Sequence, residues 1–225
     1  MSIIKEEAEE FERVGVGLRL DDPYIWFHGS KTAAIVYKIL EHLNMSDDEA
    51  RWTLEAALLH DIGVTDLGWD IRGRWPIKPG TWLEEEEWDD ILAHPRLGYR
   101  EINRKEYLGN ILPGILYHHE RWDGYGYPEA LKGEEIPLSA RVIAVADYMD
   151  SLAAPRGTKI IMPVEIALKK IKKEEGRYFE PAVVAALMQV NEGELMDILI
   201  QDIADSVDER ELKWYKKKVN YSSIN

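Results

Sequence analysis

The segment SDDEARWTLEAALLHDIG, from Ser46 to Gly63, contains the start, the apolar face and the end of one helix. Ser46 and Glu49 form the capping-box pattern that is typical of a helix N-terminus. The apolar run that follows ends in His60 and Asp61, and such a polar pair is costly to bury unless it is paired or bound to a metal. We therefore expect a helix whose C-terminal end carries a polar site.

Helical periodicity continues through most of the remaining sequence. Val36, Ile39, Leu40 and Leu43 lie at helical spacing on one face. Strand signals are sparse, because β-branched residues fall in helical rather than alternating periods. The sequence predicts an all-α helical bundle with short helical additions at both ends: an N-terminal extension at 1–20, a central domain at 21–190 and a charged tail at 191–225.

Composition excludes several classes of function. The 225 residues, 45% of them hydrophobic, suit one domain of ordinary size. Without cysteine, any metal must be held by His and carboxylate groups. The net charge of −14 argues against general binding to DNA or RNA. No apolar run approaches the ~18 residues of a membrane span, and the N-terminus lacks the pattern of a signal peptide. We expect a soluble, cytoplasmic protein with no membrane contact.

Three further polar groups follow or interrupt apolar helical segments. His118 and His119 are adjacent at the end of one such segment, just before a Gly-rich turn. Asp147 is flanked by Val145 and Ala146, which predicts that it faces inward. His and Asp side chains that converge from separate helices indicate a site for a divalent metal. On spacing alone, unrelated polar residues of the core are an equally good interpretation.

Five motifs in this order resemble the HD-GYP subgroup of the HD phosphohydrolase superfamily. The resemblance extends from about His28 to Ala186, which is most of the chain. The motifs are LLHDIG (Leu58–Gly63), HPRLG (His94–Gly98), HHERWDGYGYP (His118–Pro128), IPLSARVIAVADYMDSL (Ile136–Leu152) and EGRYFEP (Glu175–Pro181).

The resemblance implies an HD-domain helical bundle with two metal ions that hydrolyses a 3′,5′-cyclic dinucleotide, cyclic di-GMP in particular, to the linear dinucleotide. In this scheme a hydroxide between the ions attacks phosphorus, and Asp61 is the catalytic residue that bridges the ions. Asp61 is shared by both ligand sets. The first ion would be held by His28, His60, Asp61 and Asp147, and the second by Asp61, His94, His118 and His119.

The resemblance also implies substrate contacts and a choice of metal. Tyr127, Arg156 and Lys159 match positions that contact substrate in the family. By residue type alone, Arg156 and Lys159 are ordinary solvated loop cations. The family points to iron or manganese, and a high number of ligands disfavours zinc.

The sequence departs from the family pattern at three positions. Val64 stands where the family often has a lysine that approaches the phosphate, so hydrolysis is expected to be slower. Tyr24 stands one helical turn before His28, where members with a third metal carry Glu. We therefore expect two metals rather than three, and poor cleavage of the linear product. Glu180 stands in the Asp slot of the last motif and keeps its charge.

Two other functions remain open at this stage. The chain is a nucleotide sensor if the site binds a cyclic dinucleotide without turning it over, as the loss of the lysine at Val64 allows. It is a different HD-superfamily hydrolase, for nucleotides or alarmones, if the paired His118 and His119 do not hold a metal. The acidic N-terminal helix and the tail at 191–225 are candidate surfaces for a homodimer or for a regulatory protein partner.

Overall fold

The chain forms a bundle of helices. The computed structural model describes residues 2–68, 84–153 and 162–200. Within these ranges there are nine α-helices and no strand, so the expected all-α fold is confirmed. The helices are α1 Ser2–Asp21, α2 Pro23–Leu40, α3 Asp47–Leu59, α4 Glu85–Ile102, α5 Leu112–Tyr117, α6 Leu138–Ala153, α7 Val164–Lys173, α8 Pro181–Leu187 and α9 Glu192–Ile200, with short 3₁₀ helices at Ile62–Asp66, Gly109–Ile111 and Gly133–Glu135.

Helices α2, α3 and α6 pack against one another and form the centre of the bundle. The predicted capping box starts α3: the Glu49 amide donates to the Ser46 hydroxyl at 3.3 Å, and the Ser46 amide donates to the Glu49 carboxylate at 3.1 Å. Glycine permits the close approach of α2 to α3, because a Cβ atom at Gly29 would lie 2.1 Å from the carbonyl oxygen of Leu58. This close packing places His28, which directly precedes Gly29, near the C-terminal end of α3.

Helix α1 is packed onto this centre. Leu18 is buried in the hydrophobic core. The Glu7 carboxylate accepts hydrogen bonds from the Trp52 indole and from the Arg51 guanidinium, both at 3.1 Å. No helix of the described ranges combines the length and the apolar character that crossing a bilayer requires. The boundaries predicted at residues 20 and 190 remain predictions, and most of the predicted tail, 201–225, lies outside the described residues.

Candidate metal centre

The His60–Asp61 pair lies where α3 ends and the first 3₁₀ helix begins. Both side chains are buried, with 1% and 4% of His60 and Asp61 exposed. Gly63 lets α4 pack directly on the backbone that follows the pair, because a Cβ atom there would lie 2.0 Å from the carbonyl oxygen of His94. The same packing brings His94, which is fully buried, to the end of α3.

Three buried histidines share one arrangement of their ring nitrogens. In each, Nδ1 lies 2.6–2.7 Å from the backbone carbonyl oxygen three residues earlier. A carbonyl can only accept, so Nδ1 carries the proton and Nε2 keeps its lone pair. This is the form in which histidine binds a metal through Nε2. The three residues are His60, His94 and His118.

His28 has a different partner. Its Nδ1 lies 2.7 Å from a carboxylate oxygen of Asp150, which is 1% exposed. Its Nε2 lies 3.2 Å from Asp147 Oδ1. Asp150 was not among the residues predicted from the sequence. Its spacing of three residues from Asp147 in α6 was the available signal, since this spacing places both side chains on one face of the helix.

Asp61 lies between the histidines with its two oxygens facing different sides. Oδ2 is 3.6 Å from Nε2 of His28. Oδ1 is 3.3 Å from Nε2 of His94 and 3.7 Å from Nε2 of both His118 and His60. A carboxylate in this position can offer one oxygen to each of two neighbouring cations.

The structure brings all seven predicted ligands together. Their ligand atoms fall into two clusters, and within each cluster the atoms lie within 4.8 Å of one another. Asp61 belongs to the second cluster, and its Oδ2 faces His28 of the first. The first cluster is His28, His60 and Asp147, and the second is Asp61, His94, His118 and His119.

The donor atoms of these clusters fit cations. The Nε2 atoms of His94 and His118 lie 3.2 Å apart, although both rings already donate through Nδ1. Two lone pairs that face each other at this distance repel unless a cation draws both. The Nε2 atom of His60 is buried and has no hydrogen-bond partner among the described residues. The clusters can therefore bind metal ions.

The buried groups also adjust each other's proton affinity. Burial and the neighbouring His119 hold the pKa of His118 well below its usual range, and burial with His94 does the same for the pKa of His119. Burial alone would raise the pKa of Asp61, but His60 and His94 outweigh it and hold that pKa well below its usual value. At neutral pH these three groups are thus deprotonated, which is the form that binds metal.

His28 differs from the other histidines in its charge. Burial lowers its pKa, but hydrogen bonds with Asp147 and Asp150 outweigh burial and raise the pKa to about 9. Without a metal, His28 is therefore a cation at neutral pH, paired with two carboxylates. An ion that binds to its Nε2 takes the place of that proton.

Comparison with known proteins shows the family of this chain. The sequence pattern of the HD domain matches residues 18–183. The chain belongs to the HD domain family. The recognition of an HD-GYP domain from five motifs is confirmed.

Two curated relatives and one solved structure are similar to this HD domain. The cyclic di-GMP phosphodiesterase response regulator RpfG of Xanthomonas campestris is 39% identical over 67% of the chain and 39% of its own length. The 3′3′-cGAMP-specific phosphodiesterase 2 of Vibrio cholerae is 33% identical over 72% of the chain and 30% of its own length. An HDGYP protein from Bdellovibrio bacteriovorus has the same fold, with a TM-score of 0.58 and 21% identity over 74% of the chain and 52% of that protein. The chain thus spans well under half the length of these curated relatives.

The GYP segment, residues 126–135, contacts the second cluster through Tyr127. The Tyr127 ring stacks on the His119 ring with their centroids 4.9 Å apart and their planes 28° from parallel. Burial raises the pKa of Tyr127, and the charges of Asp61 and Asp147 raise it further. The phenol therefore remains protonated at neutral pH and can donate a hydrogen bond from the edge of the centre.

Not all predicted substrate contacts can be located. Arg156 and Lys159 lie outside the described residues. Among the departures from the family pattern, Val64 is fully buried in the hydrophobic core. Glu180 pairs with Arg141 at 2.7 Å, which accounts for the retained charge in that slot.

The GYP segment is anchored by Glu120, which the sequence analysis did not single out. Glu120 is 4% exposed. Its carboxylate accepts hydrogen bonds from the backbone amides of Glu129 at 2.7 Å and Leu131 at 3.1 Å. The Arg96 guanidinium donates to the Pro128 carbonyl at 3.1 Å and so holds the segment from its other side. These contacts fix the backbone that carries Tyr127.

Replacing Glu120 with glutamine is expected to loosen this segment. An amide has only one acceptor oxygen, so one of the two backbone donors loses its partner, at a cost of about 1–3 kcal/mol. We expect faster hydrogen exchange at the amides of Glu129 and Leu131, measured by NMR. Glu134→Gln, at an exposed position of the same segment, is the matched control. Unchanged exchange in Glu120→Gln would show that the carboxylate is not the anchor.

Proposed function

We propose that this chain is a metal-dependent phosphodiesterase that hydrolyses a 3′,5′-cyclic dinucleotide to the linear dinucleotide. The observation that carries the proposal is the pair of ligand clusters with Asp61 between them. The two curated relatives are named as phosphodiesterases of cyclic di-GMP and 3′3′-cGAMP, and both substrates are cyclic dinucleotides. Seven buried or half-buried His and Asp side chains in two adjoining clusters are costly to maintain without a bound ion.

We infer that each cluster would hold one divalent cation, with Asp61 a ligand to both. When bound, two such cations activate a water molecule and stabilise negative charge on the phosphate. The protein's own groups orient the site: three backbone carbonyls and one carboxylate fix the tautomers of the histidines. Asp61 and Asp147 remain ionised because the neighbouring histidines lower their pKa values.

Substrate is held by groups around this centre. We infer that the protonated Tyr127 hydroxyl donates a hydrogen bond to the substrate from above the second cluster. Arg156 and Lys159 are proposed to neutralise the phosphates that are not being cleaved. Both of these side chains are needed, because the chain has a net charge of −14 and would otherwise repel a dianionic substrate.

Two ions per chain, iron or manganese, are expected when the protein is purified without oxygen and analysed for metals. Among the described residues, the groups able to hold an ion form two clusters and no third. Tyr24, one turn before His28, offers a phenol instead of the carboxylate that a third ion would need. Three ions in the wild-type protein would contradict this prediction. Tyr24→Glu is the matched variant, and it is expected to raise the number of bound ions.

The experiment that tests the proposal is a hydrolysis assay under anaerobic conditions. Protein loaded with Fe(II) or Mn(II) is incubated with cyclic di-GMP or with 3′3′-cGAMP, and the products are separated by chromatography. The proposal expects the linear dinucleotide from cyclic di-GMP, with little further cleavage to mononucleotide. Turnover of 3′3′-cGAMP alone would keep the reaction class and change the substrate. No hydrolysis of either compound with either metal would contradict the proposal.

A catalytically weak sensor is the second candidate, and Val64 is the observation that favours it. Its side chain is fully buried among apolar residues, so no amine reaches the phosphate from this position. Loss of one charge-stabilising donor costs on the order of 10²–10³ in rate. Tight binding of cyclic di-GMP without turnover, measured by calorimetry on metal-loaded protein, would favour this function over the enzyme.

A further inference from the structure

Asp150 is a buried acid to which neither cluster assigns a role. It lies in α6 one turn after Asp147, and 1% of it is exposed. Its Oδ2 lies 2.7 Å from Nδ1 of His28, and its Oδ1 lies 3.9 Å from Nζ of Lys31. Burying a carboxylate is costly unless it is paired, and His28 is one partner of Asp150 at hydrogen-bond distance. The side chain therefore acts on the centre through His28.

The partner of Nδ1 distinguishes His28 from His60, His94 and His118. His60, His94 and His118 donate from Nδ1 to neutral backbone carbonyls. His119 stacks on Tyr127. Among the described histidines of the two clusters, His28 has a carboxylate at Nδ1. A carboxylate partner makes the other ring nitrogen a stronger donor to a metal and fixes the orientation of the ring.

The first cluster also has more carboxylates around it than the second. The first cluster contains Asp147, faces Oδ2 of Asp61 and has Asp150 behind one of its histidines. The second contains Asp61 and three histidines, of which His94 and His118 donate from Nδ1 to backbone carbonyls. Since affinity for a divalent cation rises with the negative charge around it, the first cluster has the stronger donor set once an ion has displaced the proton from Nε2 of His28.

We propose that Asp150 is a positioning residue for His28 and makes the first cluster the tighter of two unequal metal sites. The inference rests on the proposed function, because it requires that the clusters bind metal. Removing such a partner typically costs 10–100-fold in metal affinity. The two sites therefore fill in sequence, the first cluster before the second.

The test is a Mn(II) titration of the metal-free 225-residue chain, followed by calorimetry and checked by metal analysis after dialysis. The wild-type protein is expected to show two classes of site. In Asp150→Asn the tighter class should weaken by about 10–100-fold, and the weaker class should not change. Asp197→Asn, an exposed acid in α9, is the control and should titrate as the wild type does.

Two further variants separate positioning from packing. In a His28→Ala background, Asp150→Asn should have no additional effect, because the partner through which it acts is already absent. Asp150→Glu keeps the charge and should bind the first ion more tightly than Asp150→Asn does. If Asp150 only fills space, the longer glutamate should bind it less tightly. Thermal unfolding of the metal-free variants checks that each one folds.

Each contradictory result has a distinct meaning. If the wild type shows two classes and Asp150→Asn leaves both unchanged, or weakens both equally, the inference about Asp150 is wrong and the proposed function stands. If the wild type binds no Mn(II), the metal-dependent function and the inference are both wrong.

Discussion

Asp61→Ala is expected to lose metal from both clusters and to reduce cyclic di-GMP hydrolysis on the order of 10³-fold or more. The reason is the position of this carboxylate, with Oδ2 3.6 Å from Nε2 of His28 and Oδ1 3.3 Å from Nε2 of His94. Without this carboxylate, each proposed site loses one oxygen donor. The negative charge that would reduce the repulsion between two cations is lost as well. The measurements are metal content per chain and the rate of formation of the linear dinucleotide.

Asp61→Asn separates the charge of this residue from its shape. The amide has the same size and keeps one oxygen, so it can bind one ion but cannot bridge two as a carboxylate does. We expect it to retain at most one ion per chain. Asp66→Asn, at an exposed position of the 3₁₀ helix that directly follows Asp61, should keep both ions and normal activity. Two tightly bound ions in Asp61→Ala would contradict the bridging role.

The proposed ligands were predictable because each follows or lies within a local pattern. The His60–Asp61 pair follows a capped apolar helix, and Asp147 interrupts an apolar stretch that forms α6. Spacing indicates which face of a helix a residue occupies, but it does not say which helices meet. The motif resemblance supplied that information, and the structure places these side chains in one centre.

The partners of the groups around the ligands were not predictable, because tertiary structure sets which groups meet. Asp150 meets His28 across 122 positions of sequence. Glu120 accepts from amides nine and eleven residues later, and these amides face it only because of the path that the GYP segment takes. The sequence showed that Val64 replaces a lysine, but only the structure shows that its side chain is packed in the core.

His118→Ala is expected to remove the second ion, retain the first and lower hydrolysis on the order of 10²–10³-fold. A loss of this size is typical when one transition-state-stabilising group is removed from a catalytic site. The Nε2 atom of His118 lies 3.2 Å from Nε2 of His94 and 3.7 Å from Asp61 Oδ1, so it faces the second cluster. Metal analysis should give one ion per chain instead of two. His42→Ala, at an exposed position outside both clusters, is the control.

Thermal unfolding gives a second readout for His118→Ala that does not depend on activity. An ion that binds only the folded chain stabilises it in proportion to RT ln(1 + [L]/Kd), so each occupied site raises the melting temperature as Mn(II) is added. The wild type should gain stability over two ranges of concentration and His118→Ala over one. If His118→Ala keeps both steps, His118 does not hold the second ion, and a different HD-superfamily hydrolase becomes the better interpretation. If it loses only the second step along with hydrolysis, the second ion is required for the reaction and not merely for the fold.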